Sequence, residues 1–179
     1  MEDDHILVRI HDGRLGQIHR HHLTDLAATS EVVFSSGIYA TGKIINHALI
    51  IGESKGTLQL TCKPLLLHIA CHKTTPTASM SQLLHETSSM IPKVVSQVSP
   101  GLVVAGYVHR VETFGVLVKF RNGLTALAPR PNVTEKFLSS PVGMFATGDS
   151  IICVVQRVDL SKDRIIVTLK STLVSPSFQ

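Results

Sequence analysis

The chain has 179 residues, with 17 Lys and Arg against 13 Asp and Glu, a formal net charge of +4 with its 10 histidines neutral, and no Trp. That length holds one large domain or two small ones, and no apolar run reaches the roughly 20 residues that span a bilayer. Met1-Glu2-Asp3-Asp4 puts acid where a secretion signal carries base, and Cys62, Cys71 and Cys153 are an odd set without framework spacing. A soluble, intracellular protein is expected, with no membrane partner. The charge is uneven: residues 1–64 hold 6 Lys/Arg against 7 Asp/Glu, and residues 100–179 hold 9 against 5. Attraction to a polyanion therefore belongs mostly to the C-terminal part.

In chain order, residues 5–63 open with His5-Ile6-Leu7-Val8-Arg9-Ile10, closed by Asp12-Gly13, and end on a Ser54-Lys55-Gly56 turn followed by Thr57 to Lys63. Residues 65–99 separate two units. Leu65 to Ala70 is apolar and reads either as a cover on the first unit or as a short helix. His72 to Ser81 reads as loop, and Met80 to Met90 has room for one or two helical turns that Pro92 and Pro100 stop. From Pro100 to Lys170 come five short β-rich runs, each closed by a turn signal: Val103–Val111, Phe114–Phe120, Leu124–Ala128, Ile151–Val158 and Arg164–Lys170. In the second run Val116, Val118 and Phe120 share one face, and Leu117, Lys119 and Arg121 the other. Five short antiparallel strands of this kind manage their edges by closing into a small OB-type barrel. Val116, Val118, Ile151 and Val155 are its expected core, and the tail at 172–179 is expected to fray.

The string Gly106-x-Val108-x-x-Val111-x-x-Phe114-Gly115-Val116-x-Val118, with Gly123-Leu124, Phe145-x-x-Gly148-Asp149, Val158-Asp159 and Lys162-x-Arg164-Ile165, resembles the S1 RNA-binding domain. Gly123 to Arg130, followed by Glu135-Lys136-Phe137, resembles more narrowly the repeats of the rRNA biogenesis protein five family (programmed cell death protein eleven in animals). The resemblance implies an all-β, OB-fold protein acting on pre-rRNA during ribosome biogenesis in the nucleolus. It also implies partners among ribosome-assembly factors.

Residues 5–63 read as a divergent copy of the same unit. His5 to Gly13 lines up with Gly115 to Gly123, Tyr39-Ala40-Thr41-Gly42 with Phe145-Ala146-Thr147-Gly148, and Ser54 to Lys63 with Ser161 to Lys170. The expectation is two five-stranded barrels in tandem: a barrel over 1–64 lacking its opening strand, a linker over 65–99 and an S1 domain over 100–171. A missing first strand leaves an open edge, as in a fragment of a longer chain or a unit that pairs with something else.

Single-stranded RNA is held by aromatic rings under its bases and cations along its phosphates. Phe114, Leu117, Lys119, Arg121 and Arg130 are the candidates on the barrel, with Tyr107 and His109 adding contacts from the neighbouring strand. The resemblance implies stacking aromatics at Phe114 and Leu117 and a histidine at Pro129; two of those three positions have lost their ring. In the first copy, Gly16 to His22 keeps the glycine and a histidine, so Arg9, His19 and Arg20, with His21 and His22, are candidates there. The set Cys62, His68, Cys71, His72 has no recognised zinc spacing, and no metal or other cofactor is expected. No P-loop, dinucleotide fingerprint, His-Glu-x-x-His or nucleophile elbow occurs. The chain reads as a binding module rather than an enzyme, with no small-molecule substrate. A rival reading is a protein–protein module in a ribosome-assembly or RNA-degradation complex, which the lost aromatics favour.

Overall fold

The computed structural model describes residues 4–71, 90–135 and 139–170. The loop expected at His72–Ser81, the helical turns at Met80–Met90 short of Met90, Lys136-Phe137 and the tail at 172–179 lie outside them. Nine strands and two α-helices are found among the described residues. β1 (His5–Arg9), β2 (Leu15–His19), β3 (Leu49–Ser54) and β4 (Thr57–Thr61) make the first sheet. β5 (Val103–Glu112), β6 (Gly115–Lys119), β7 (Thr125–Pro129), β8 (Ser150–Asp159) and β9 (Arg164–Thr168) make the second. Helix α1 (Ala27–Ser35) lies between β2 and β3, and α2 (Pro64–Cys71) follows β4.

The second sheet closes into a barrel in the order β5-β6-β7-β9-β8. Strand alternation decides its inside: Val116, Val118 and Phe120 are buried with Val104, Val108, Ile151, Cys153, Val155, Ile165 and Val167. Cys153 packs there as a small hydrophobe, and burial pushes its thiol up to about 12. One pairing departs from the all-antiparallel expectation: β7 and β9 run parallel, Ala126 opposite Ile165. β8 must leave β7 to pair with β5, so β9, turning back from β8, returns beside β7 in the same direction as β7.

The first sheet has the order β1-β2-β4-β3, with β1/β2 and β3/β4 antiparallel and β2/β4 parallel. That is the order and direction of β6-β7-β9-β8. The two sheets therefore share strand order and direction, but the tandem of two barrels is corrected to one closed barrel and one open sheet. In the barrel β5 offers its backbone to both β6 and β8. Among the described residues no strand does so for β1 and β3, and the sheet stays open. Ile18, Leu23, Leu58, Leu60 and Cys62 form its core, with Phe34 and Tyr39 packed on it.

The two sheets meet over Ile51, Leu66, Ala105 and Tyr107, so the apolar stretch after Lys63 is a helix whose Leu66 seals the junction. Polar contacts fix it. Asp149 Oδ1 accepts from the Ala27 amide at 2.9 Å, at the start of α1. Asp25 accepts from the Leu65 amide at 3.1 Å, at the start of α2, and from Ser150 Oγ at 2.6 Å. Each carboxylate thus satisfies a free amide where the helix dipole favours negative charge. Lys63, fully buried, donates to the Thr24 carbonyl beside them. Burial pushes its ammonium down to about 8, against the pull of Asp25 and Asp149.

Candidate nucleic-acid interface

Strand β6 spans two different surfaces. At one end Gly115 pairs with Pro129, and a side chain at Gly115 would collide with the Ala128 carbonyl. The backbones are therefore tight, and the preceding turn pushes Phe114 outward, 56% exposed. The Arg130 amide donates to the Phe114 carbonyl at 2.8 Å, and Arg130 Nη1 donates to the Ser139 carbonyl at 3.1 Å. Phe114 and Arg130 thus share this end. Leu117, mid-strand on the outer face, is half-buried opposite Leu127.

At the other end Lys119 pairs with Tyr107. Tyr107 is not free on the outer face: it is buried in the junction, where burial pushes its hydroxyl up to about 12. His109, largely exposed, follows two residues later, and partial desolvation of its ring, with Lys119 and Arg110 nearby, holds it below the usual histidine range. Arg121 is half-buried, its backbone amide bonded to the Pro92 carbonyl at 3.2 Å and its Nε without a hydrogen-bond partner.

The first sheet turns its histidines toward this second end. After β2, Arg20–His22 form a single 3-10 turn, and His19 Nδ1 accepts from the His21 amide at 3.2 Å. The turn stacks imidazoles edge to face. His5 and His19 have centroids 4.8 Å apart, His19 and His21 4.8 Å, and His22 and Tyr107 4.6 Å. Burial, then the neighbouring imidazoles, hold His19 below its ordinary range; burial, then Arg20, do the same to His21. His22 is pushed down to about 3 by burial, helped by Lys63, and its Nδ1 has no hydrogen-bond partner.

Between sheet and barrel these groups enclose a cleft of about 700 Å³. Among the expected contact residues His19, His21, His22, Tyr107, His109 and Lys119 line it together. Phe114 and Arg130 lie at the far end of β6. Arg9 is exposed on the opposite end of β1 from His5. Arg20 is engaged at home, its Nη1 3.4 Å from Asp4 and 3.2 Å from Glu31. Lining groups that escaped the sequence reading include His5, Glu53 and Gln59. His5 stands opposite His19 in the β1–β2 register, a pairing legible only once the turn between them is known. Cys62 donates its thiol to the His47 carbonyl at 3.6 Å and is buried, whereas Cys71 is exposed.

The family description of the S1 RNA binding domain matches residues 97–170. Protein RRP5 homolog of Mus musculus is 27% identical over 149 residues, 83% of this chain but 7% of that protein. The rRNA biogenesis protein rrp5 of Schizosaccharomyces pombe is 24% identical over 150 residues, 83% of this chain and 9% of that one. That of Arabidopsis thaliana is 37% identical over 79 residues, covering 44% and 4%. The chain thus spans less than a tenth of these relatives. Among solved structures, that of GSP13 from Bacillus subtilis superposes with a TM-score of 0.41 at 23% identity, over 46% of this chain and 63% of that one. The chain carries an S1 RNA binding domain in residues 97–170, within a segment homologous over most of its length to RRP5 proteins.

Proposed function

We propose that the chain binds single-stranded RNA through the outer surface of its barrel, and that it does so on pre-rRNA in ribosome biogenesis, in the nucleolus. One observation carries the reading: within an S1 RNA binding domain, Phe114 stands 56% exposed beside Arg130 at one end of β6, and Lys119 stands at the other. An exposed ring offers a stacking platform and flanking cations follow the phosphates. The similarity to proteins named for rRNA biogenesis supports the choice of RNA. The reading is non-catalytic: the domain holds RNA and contributes its contact to a larger assembly.

A protein–protein role in such an assembly is favoured by other observations. Leu117 occupies a position where a ring would stack on a base, and Leu7, its counterpart on β1, is 76% exposed. Ultraviolet crosslinking of the chain to single-stranded RNA, followed by peptide mapping, tests the primary reading. Adducts are expected on Phe114 and the β5–β6 turn. Adducts absent there, with the RNA-free protein still folded, overturn it.

A further inference from the structure

We propose that the cleft between the open sheet and the barrel is a nucleotide subsite that the two units share, holding one unstacked nucleotide of single-stranded RNA. It deepens the RNA-binding reading and rests on it.

The cleft is not a packing leftover. Its roughly 700 Å³ falls in the range of sites that enclose small ligands. Its walls come from both units: His5, His19 and His21 from the sheet, and His109, Lys119, Thr147 and Gly148 from the barrel. Flat rings dominate one wall and a primary ammonium stands on the other. That combination suits a base with a phosphate attached: imidazole faces stack on bases, and a lysine serves phosphate as a point charge. A hydrophobic side chain would leave Lys119 without use. An acidic peptide side chain would find Lys119 but would not need the rings. Among the described residues Glu53 is the one carboxylate on the lining, on the β3 rim.

The imidazole hydrogen bonding is also set for a neutral base. His19 accepts from the His21 amide through Nδ1, so in the neutral ring Nε2 carries the proton and is a donor. Burial holds His19 and His21 on the neutral side near pH 7. The site would therefore stack and donate rather than attract by charge, leaving phosphate to Lys119.

Gly148 shapes one wall. Its φ is +97°, and a side chain there would meet His21 Cβ at 2.6 Å. Barrel and sheet touch at this point, which couples the ring of His21 to the barrel loop.

The test is a fluorescence-anisotropy titration of the full chain with single-stranded hexanucleotides of A, C and U, comparing wild type with His21→Ala, His109→Ala and the double variant. Each single change is expected to weaken at least one hexanucleotide by roughly five- to a hundred-fold, the range for one lost stacked base. The double is expected to lose less than the product, because both act on one bound nucleotide. His21→Gln, which keeps a polar side chain but no ring, is expected to behave as His21→Ala; it serves if His21→Ala shifts the thermal transition. Singles binding as wild type while Phe114→Ala weakens would overturn the shared subsite and leave the RNA reading standing. Full multiplicative loss in the double would also overturn it, since the contacts would then be independent. AMP or UMP alone binding as tightly as the hexanucleotides would assign the cleft to free nucleotides and overturn it. No wild-type binding of any hexanucleotide would remove both readings.

Discussion

The imidazole of His22 stands edge-on to the ring of Tyr107, centroids 4.6 Å apart and planes at 85°, and this contact joins the open sheet to the barrel. Tyr107 belongs to β5, the strand that closes the barrel, and His22 to the turn that follows β2. The sheet that has no closing strand among the described residues thus leans on the closing strand of its neighbour.

That burial has a pH signature. The His22 pKa is pushed down to about 3, whereas the unfolded chain takes up its proton near the ordinary value of about 6.5. Below pH 6.5 the unfolded state binds the proton and the folded state does not, so stability present above 6.5 is lost as pH falls toward 3. The loss is about 1.4 kcal/mol per pH unit. His19, His21 and His109 act with the same sign. His22→Phe keeps a ring against Tyr107 and removes one titrating group. Its stability, from urea unfolding between pH 7 and 5, is expected to fall less steeply than that of wild type; parallel curves would contradict the assignment.

Asp149 ties the turn before β8 to α1, accepting from Ala27 at 2.9 Å through Oδ1 and from Ala146 at 2.8 Å through Oδ2. Asp149→Ala frees both amides and is expected to cost about 0.5–2 kcal/mol, the range for a lost helix cap. Amide exchange should quicken in α1 as well as in the 146–149 turn. Faster exchange in the turn alone would mean that the inter-unit bond contributes nothing.

Val118 is fully buried in the barrel, flanked on the inner face by Val116 and Phe120. Val118→Asp sets a carboxylate there without a partner and is expected to remove the cooperative thermal transition, a loss of more than about 4 kcal/mol. Retention of that transition would mean that the register of β6 is wrong.

The barrel was legible because each strand repeats every second residue and ends on a turn signal. Val116, Val118, Ile151 and Val155 all lie inside as that pattern requires. The first sheet was legible through its likeness to the second, strand for strand. That it stays open among the described residues was not, because closure depends on a partner strand and no local pattern states whether one is supplied. The parallel pairs β2/β4 and β7/β9 join strands far apart in sequence and leave no local trace. Helix α1 escaped because Ala27-Ala28-Thr29-Ser30-Glu31-Val32-Val33 has no clear apolar stripe. Of the site, the outward residues of β6 followed from alternation. The cleft did not: it exists only because two units pack, so Tyr107 reads as an exposed contact in the sequence and is a buried junction residue in the structure.

The central claim, that β6 presents an RNA-binding surface, is met most directly by filter binding of single-stranded RNA at two salt concentrations. Phe114→Ala removes one stacking ring and is expected to weaken binding by about 1–3 kcal/mol at both salts. Lys119→Ala removes a phosphate contact and is expected to flatten the logarithmic salt dependence by roughly 0.7. Leu117→Phe adds a ring to the half-buried outer face and is expected to tighten binding, with the thermal transition little changed. Wild type that binds no RNA at low salt, together with no gain from Leu117→Phe, would contradict the claim.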